Sequence, residues 1–237
     1  MSLPPVCILA GGLGSRLGER VRDVPKPLIE VAGRPFLAHV LALLRAHGAA
    51  RVILCVGYLG DQIEARLGDG SAYGLELRYR YDPPGLAGTA GAVRAALDDL
   101  GERFLVLYGD TYLRIDYADV ARHAAGEAAL MTVLENGGRW DTSNVLFRDG
   151  RVALYDKRAP TPQMRWIDYG LSVLTPGVLG EEPDLSDVFA RLSREGRLAG
   201  YLATERFYEI GTPASLAEAE AFLSGRAASA AARSSRR

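Results

Sequence analysis

Residues Ile8–Leu28 read ILAGGLGSRLGERVRDVPKPL. The stretch begins inside an apolar run, PVCILA (Pro5–Ala10), and passes directly into Gly11, Gly12 and Gly14. A short apolar run bounded by glycines reads as a buried strand. In α/β proteins ligands sit beyond the carboxyl ends of the strands, so a strand ending in glycines is a place to hold phosphate. Glycine has no Cβ, and its backbone N–H groups can close around phosphate oxygens. Arg16 adds a planar guanidinium suited to those oxygens. Lys26, between Pro25 and Pro27, is an amine on a stiffened loop. Spacing excludes two familiar phosphate loops. Gly12-Leu13-Gly14-Ser15-Arg16-Leu17 has leucine where a dinucleotide fingerprint needs its third glycine, and no Gly-Lys-Ser/Thr closes a Walker A loop. The first of these disfavours a nicotinamide-dependent oxidoreductase.

Working outward, the chain alternates strands and helices. FLAHVLALLRAHG from Phe36 carries Phe36, Leu37, Val40, Leu41 and Leu44 at helical spacing and stops at Gly48. RVILCVG (Arg51–Gly57) is a buried strand, DQIEARLG a short helix, and LELRYRY (Leu75–Tyr81) an alternating strand. TAGAVRAALDDLG (Thr89–Gly101) is a helix and FLVLYGD (Phe104–Asp110) another buried strand. YADVARHAAG is helical and AALMTVLE is a strand. Strands separated by helices imply right-handed crossovers and a mostly parallel sheet flanked by helices. After Glu135 the rhythm changes. NVLFRDGRVALYDK (Asn144–Lys157) is a hairpin turning at Asp149-Gly150. WIDYGLSVL (Trp166–Leu174) is a strand, LSDVFARLSREG a helix, and GYLATERFYEIG a kinked strand. TPASLAEAEAFL is a closing helix with Thr212 as N-cap and Pro213 at its first position. The reading is one domain over 1–223. Its core covers about 1–135, a second part covers about 136–211, and a closing helix covers 212–223. A frayed tail lacking large apolar side chains follows over 224–237.

Composition narrows the classes. A formal net charge of -1 gives no reason for nucleic acid as an electrostatic partner. The two cysteines, Cys7 and Cys55, lie in apolar runs and read as reduced core residues. His39, His47 and His123 are scattered and form no zinc pattern. No basic-then-apolar signal opens the chain, and no apolar run reaches the roughly 18 residues of a membrane span. The expectation is a soluble cytoplasmic protein with no membrane partner; a homo-oligomer stays open.

GGLGSRL followed by VPKPL resembles the signature of the sugar-1-phosphate nucleotidyltransferases, G-G-x-G-[ST]-R-L and then P-K-P. The likeness continues in the family's order along most of the chain. VGYLGDQIEARLGDG resembles its second strand and helix, and GLAGTAGAVRAAL its nucleobase loop. FLVLYGD resembles the strand ending in a metal-binding aspartate, and YDK the sugar-phosphate lysine site. WIDYGLSVL resembles the sugar-binding strand, and FYEIGTP the F-x-D-I-G-T-P segment that supplies a second metal ligand. The resemblance implies a Rossmann-like, GT-A-like α/β core with a small sugar-binding subdomain. It also implies the reaction: a sugar 1-phosphate oxygen attacks the α-phosphorus of an NTP and pyrophosphate leaves. The opening pattern and compact length most resemble the guanylyltransferases acting on D-glycero-D-manno-heptose or mannose 1-phosphates. Uridylyltransferases, including those for N-acetylmuramate 1-phosphate, share nearly all these motifs. A non-catalytic nucleotide-sugar-binding regulatory subunit on the same fold is a further alternative.

Residue roles follow from the resemblance. Leu9, Ala10, Gly11, Gly12, Gly14, Ser15 and Arg16 would hold the nucleotide, with Arg16 on the β- and γ-phosphates. Gly88 and Thr89 would face the base. Lys26 would bridge the α-phosphate and the sugar phosphate, and Lys157 would hold that phosphate from the opposite side. Asp168 and Gly170 would contact sugar hydroxyls, and Asp156 would either do the same or flank the turn. Asp110, at a strand's carboxyl end, and Glu209 would hold Mg²⁺, which takes one or two carboxylates. Glutamate stands at 209 where the family has aspartate. Tyr169 stands where the family has alanine, which bears on sugar preference. Trp140 and Trp166 are either stacking platforms for a ligand or packing residues.

Overall fold

The computed structural model describes residues 3–12, 17, 23–82 and 88–225. The predicted roles of Gly14, Ser15 and Arg16 therefore lie outside the described residues, as does most of the tail. In chain order the first elements are β1 (Val6–Leu9), β2 (Glu30–Val31), β3 (Arg34–Pro35), α1 (Phe36–Ala46), β4 (Arg51–Val56), α2 (Gly60–Leu67) and β5 (Glu76–Tyr81). Then come α3 (Gly88–Ala95), α4 (Leu97–Leu100), β6 (Phe104–Tyr108), β7 (Thr111–Tyr112), α5 (Tyr117–His123) and β8 (Ala129–Glu135). The chain continues with β9 (Val145–Arg148), β10 (Arg151–Tyr155), β11 (Trp166–Leu174), α6 (Leu185–Arg194), β12 (Ala199–Ala203), β13 (Tyr208–Glu209) and α7 (Pro213–Leu223).

A nine-stranded sheet runs in the order β5-β4-β1-β6-β11-β8-β12-β10-β9. Its first four strands are parallel, as the strand–helix alternation predicts. Beyond β6 the sheet becomes mixed. β11 is antiparallel to both β6 and β8, β12 is parallel to β8, and β10 is antiparallel to β12 and β9. Because β11 enters between β6 and β8, elements from both sides of Glu135 share one sheet. The hairpin turns at Asp149-Gly150, both with positive φ, as the asparagine/aspartate-glycine rule requires.

Both faces of the sheet are covered, which is why β1, β4 and β6 read as continuous apolar runs. One face packs Ile8, Leu54 and Leu107 with Phe36, Leu41 and Leu44 of α1. The other packs Cys7, Ile53 and Val106 with Val93 of α3 and Val188 and Phe189 of α6. Each such side chain contributes roughly 1.5–3 kcal/mol on leaving water. Cys7 and Cys55 are free, buried thiols, as expected.

Two expected elements divide. The helix over 89–101 breaks at Ala96, and α4 is captured by the edge strand: Asp99 meets Arg78 at 2.6 Å and Arg80 at 2.5 Å. The kinked strand GYLATERFYEIG becomes β12 in the main sheet and β13 in a separate ribbon with β7. The closing helix begins as read. Thr212 Oγ1 accepts from Ser215 N (3.1 Å) while Ser215 Oγ accepts from Thr212 N (2.9 Å), a reciprocal cap. Among the described residues, no helix is long and apolar enough to cross a membrane.

Candidate active site

The parallel strands β1, β4, β5 and β6 end on one edge of the sheet, and each delivers a residue of the site there. β1 leads into Ala10, Gly11 and Gly12, β4 into Gly57, β5 into Asp82, and β6 into Tyr108 and Asp110. A cavity of about 290 Å³ opens against this edge, lined by Leu9 to Gly12, Lys26, Asp82, Gly88, Thr89 and Asp184 among others. A second cavity of about 500 Å³ adjoins it, lined by Lys157, Asp168, Gly170, Glu209 and the aromatic Trp140 and Phe207. Tyr108 and Asp110 line both.

Lys26 and Asp110 meet at this junction. Lys26 opens a single helical turn after Pro25, and its Nζ donates to Asp110 Oδ2 at 2.5 Å. The other oxygen accepts from Thr111 Oγ1 at 3.1 Å. Both partners are largely shielded, with side-chain exposures of 11% and 28%, so loss of either would leave a partly buried charge unpaired. Glu209 arrives by way of the small ribbon. It pairs with Thr111, next to Asp110, and Ile210 N donates to Asp110 O at 3.1 Å. The ribbon therefore brings two carboxylate-bearing residues 99 positions apart in the chain to one cavity.

The sugar-side residues depend on a break in β11. Asp168 pairs with Val133 and Ser172 with Met131, so extra residues bulge from the strand. Thr132 fills the gap, donating from Oγ1 to Leu171 O at 2.7 Å. Gly170, with φ of +100°, sits in the bulge where few side-chain-bearing residues could. Asp168 Oδ1 accepts from Gly170 N at 3.0 Å. Burial raises the Asp168 pKa, against the charge of Lys157 and the Gly170 N–H. Tyr169 is 1% exposed and lines the larger cavity; its ring packs edge-on against Phe207 and its hydroxyl donates to Arg114 O at 3.4 Å.

Asp156 stands apart from these. It lines neither cavity, and its Oδ1 accepts from Arg158 N and Ala159 N at 2.8 and 2.9 Å. Those amides, Ala159 first, hold its carboxyl below the usual range. Its carboxylate thus caps the turn that follows β10. Trp140 lines the larger cavity with Arg139 and Arg206 over its ring at 4.6 and 5.8 Å. Trp166 packs edge-on against Phe147 at 6.0 Å and lines neither cavity.

Two residues absent from the sequence reading belong to the smaller cavity. Asp82 follows β5, and a Cβ on either Gly11 or Gly57 would stand 2.6 Å from its Oδ2. Bare backbone at both positions leaves room for the carboxylate. Burial raises its pKa. Asp184 is the N-cap residue of α6 but makes no side-chain cap there. Its Oδ1 instead accepts from Thr89 N (3.1 Å) and Thr89 Oγ1 (3.2 Å), at the start of α3. Thr89 Oγ1 in turn accepts from Leu185 N (2.8 Å), the first residue of α6. The two helices have exchanged caps. Pro183 O takes the next amides of α3, Ala90 N and Gly91 N, and a Cβ on Gly88 would collide with it. The Thr89, Ala90 and Gly91 amides at the start of α3 are thus taken by protein acceptors.

Glycine backbone with the Asp82 carboxylate against it, the Lys26–Asp110 pair, and a second polar cavity beyond Asp110 suit a nucleotide and a second polar substrate side by side. The chain belongs to the MobA-like NTP transferase family, whose domain profile matches residues 6–229. It is 31% identical over 228 residues to the N-acetylmuramate α-1-phosphate uridylyltransferase of Neisseria meningitidis serogroup B, covering 90% of this chain and 96% of that one. It is 26% identical over 211 residues to the D-glycero-α-D-manno-heptose 1-phosphate guanylyltransferase of Campylobacter jejuni, covering 87% and 94%. Its fold matches HddC from Yersinia pseudotuberculosis in complex with GMP-PN, with a TM-score of 0.79, 24% identity, and coverage of 93% and 100%.

Proposed function

We propose that this enzyme transfers a nucleoside monophosphate from an NTP to a sugar 1-phosphate, releasing pyrophosphate and forming a nucleotide sugar. GTP is the favoured donor and a heptose or mannose 1-phosphate the favoured acceptor. The observation that carries the reading is the pair of adjoining cavities meeting at the Lys26–Asp110 contact. Two polyanions must be brought together for this reaction, and a fixed cation between their sites lowers the cost of that approach.

The nucleotide lies with its phosphates toward Gly12 and Lys26, the role that the resemblance also gives Arg16, and its base toward Asp82, whose carboxylate lies against Gly11, and the Gly88–Thr89 wall. The carboxylates at that end repel phosphate and attract N–H donors. Guanine offers a carboxylate two adjacent donors, N1–H and the 2-amino group. Uracil offers one, flanked by carbonyls. Asp82, whose side chain has no described protein hydrogen bond, thus favours guanine. In the second cavity Lys157 holds the acceptor phosphate while Asp168 and the Gly170 backbone take sugar hydroxyls.

Asp110 and Glu209 suit Mg²⁺: both are hard oxygen donors, both line the larger cavity, and Asp110 already faces a cation. When bound, Mg²⁺ supplies charge neutralisation on the phosphate oxygens. Lys26 holds the phosphates close enough for in-line attack. A reaction drawing on NTP and a soluble sugar phosphate places the protein in the cytoplasm.

The test is pyrophosphate release with Mg²⁺, each NTP in turn, and a panel that includes mannose, heptose and N-acetylmuramate 1-phosphates. GTP with mannose or heptose 1-phosphate should be fastest. Preference for UTP with N-acetylmuramate 1-phosphate, the chemistry of the Neisseria relative, would reassign the substrates. No release with any pair, alongside tight nucleotide-sugar binding, would make the protein a sensor.

A further inference from the structure

Tyr108 ends β6, and none of the motifs assigns it a role. Together with Asp110 it alone lines both cavities among the described residues. The β6–β11 register, Leu107 against Leu171, sets Gly170 beside it. A Cβ on Gly170 would lie 3.7 Å from Tyr108 Cδ2. Gly170 in the β11 bulge thus lies alongside the Tyr108 ring at the partition, at ordinary van der Waals distance. The ring is half-buried, so its hydroxyl works where water is partly excluded.

On the nucleotidyl-transfer reading, the group that crosses this partition is the α-phosphoryl. We propose that Tyr108 is a catalytic residue whose phenolic O–H donates a hydrogen bond to an oxygen of that phosphoryl group as it passes from NTP to sugar 1-phosphate. A bond forms between the sugar-phosphate oxygen and the α-phosphorus, the bond from that phosphorus to the bridging oxygen breaks, and pyrophosphate leaves with the electron pair. The phenol proton stays on Tyr108. A free phenol titrates near about 10, so the hydroxyl is a standing donor at neutral pH. Its bond strengthens as charge gathers on the oxygens in transit, which makes it a transition-state contact.

Tyr108→Phe removes the hydroxyl and keeps the ring. It should lower kcat about tenfold to a hundredfold, in the direction of synthesis and in pyrophosphorolysis alike, with KM for both substrates within about twofold. Tyr108→Leu, which also removes the ring, should add a rise in KM to the same loss of kcat. A Tyr108→Phe enzyme with wild-type kcat overturns the proposal, as does one that keeps kcat and raises a single KM, because Tyr108 would then be only a wall. A wild-type protein that releases no pyrophosphate with any pair overturns the reading on which the proposal rests.

Discussion

Replacing Asp82 by asparagine tests the base assignment with a side chain of the same size. The carboxylate rests on the bare backbone of Gly11 and Gly57, so the amide fits without displacing the chain. It changes the hydrogen-bond pattern: one acceptor becomes a donor. Facing guanine, that donor meets N1–H or the 2-amino group and one of two bonds is lost. Facing uracil, it meets a carbonyl while the amide oxygen accepts from N3–H. A good bidentate contact discriminates by about 1–3 kcal/mol, or roughly fivefold to more than a hundredfold. The expected outcome for Asp82→Asn is a loss of that order in kcat/KM for GTP and a gain for UTP. Inosine triphosphate, which lacks the 2-amino group, should be a poorer substrate than GTP for the wild type and equal to it for the variant. The pH profile adds a second reading. Burial raises the Asp82 pKa above its ordinary value of 3.8, so the ionised, accepting form is lost as pH falls through the raised value. KM for GTP should therefore climb on acidification earlier than an ordinary aspartate would dictate, and the asparagine variant should lack that climb. An Asp82→Asn enzyme with an unchanged GTP/UTP ratio would refute the assignment.

Asp110→Asn should lose turnover by about a hundredfold or more and, because it leaves the shielded Lys26 charge without its ionic partner, should also lower the thermal midpoint; near-full activity would remove Asp110 from the chemistry. Lys157→Ala should chiefly raise KM for the sugar phosphate, and a rise confined to KM for NTP would reverse the two cavities. Thr89→Val, which breaks the exchanged caps, should raise KM for NTP by about tenfold and lower stability by about 1–2 kcal/mol. Thr89→Ser should recover most of both losses; failure of the serine to do so would mean the hydroxyl is not what holds the wall.

What the sequence made legible was what a short stretch can carry. Asp110 ends an apolar run, Lys26 lies between prolines, and Thr212-Pro213 opens a helix, so each was read within a few residues. The four-strand parallel run followed from strand–helix alternation, because crossovers of that kind leave little choice of direction. Asp82 was legible in principle. It ends a parallel strand as Asp110 does, but the alternating LELRYRY drew attention to the strand and not to its end. Asp184 offered only the local sign of a helix cap. Its partner is Thr89, 95 positions away, and no periodicity reports a contact of that span. Tyr108 read as one more apolar strand residue until β11 was seen to lie against β6. The entry of β11 between β6 and β8 is likewise a long-range choice, set by packing and not by propensity.

The account rests on two anionic substrates occupying adjoining cavities at the same time. Initial rates of pyrophosphate release, measured with Mg²⁺ while NTP and sugar 1-phosphate are varied together, test this most directly. The account predicts intersecting reciprocal plots, and no exchange of labelled pyrophosphate into NTP unless sugar 1-phosphate or nucleotide sugar is present. Parallel plots with exchange from NTP alone would mean that the nucleotidyl group is parked on the protein first, and the direct meeting of the two substrates at Lys26 and Asp110 would be wrong.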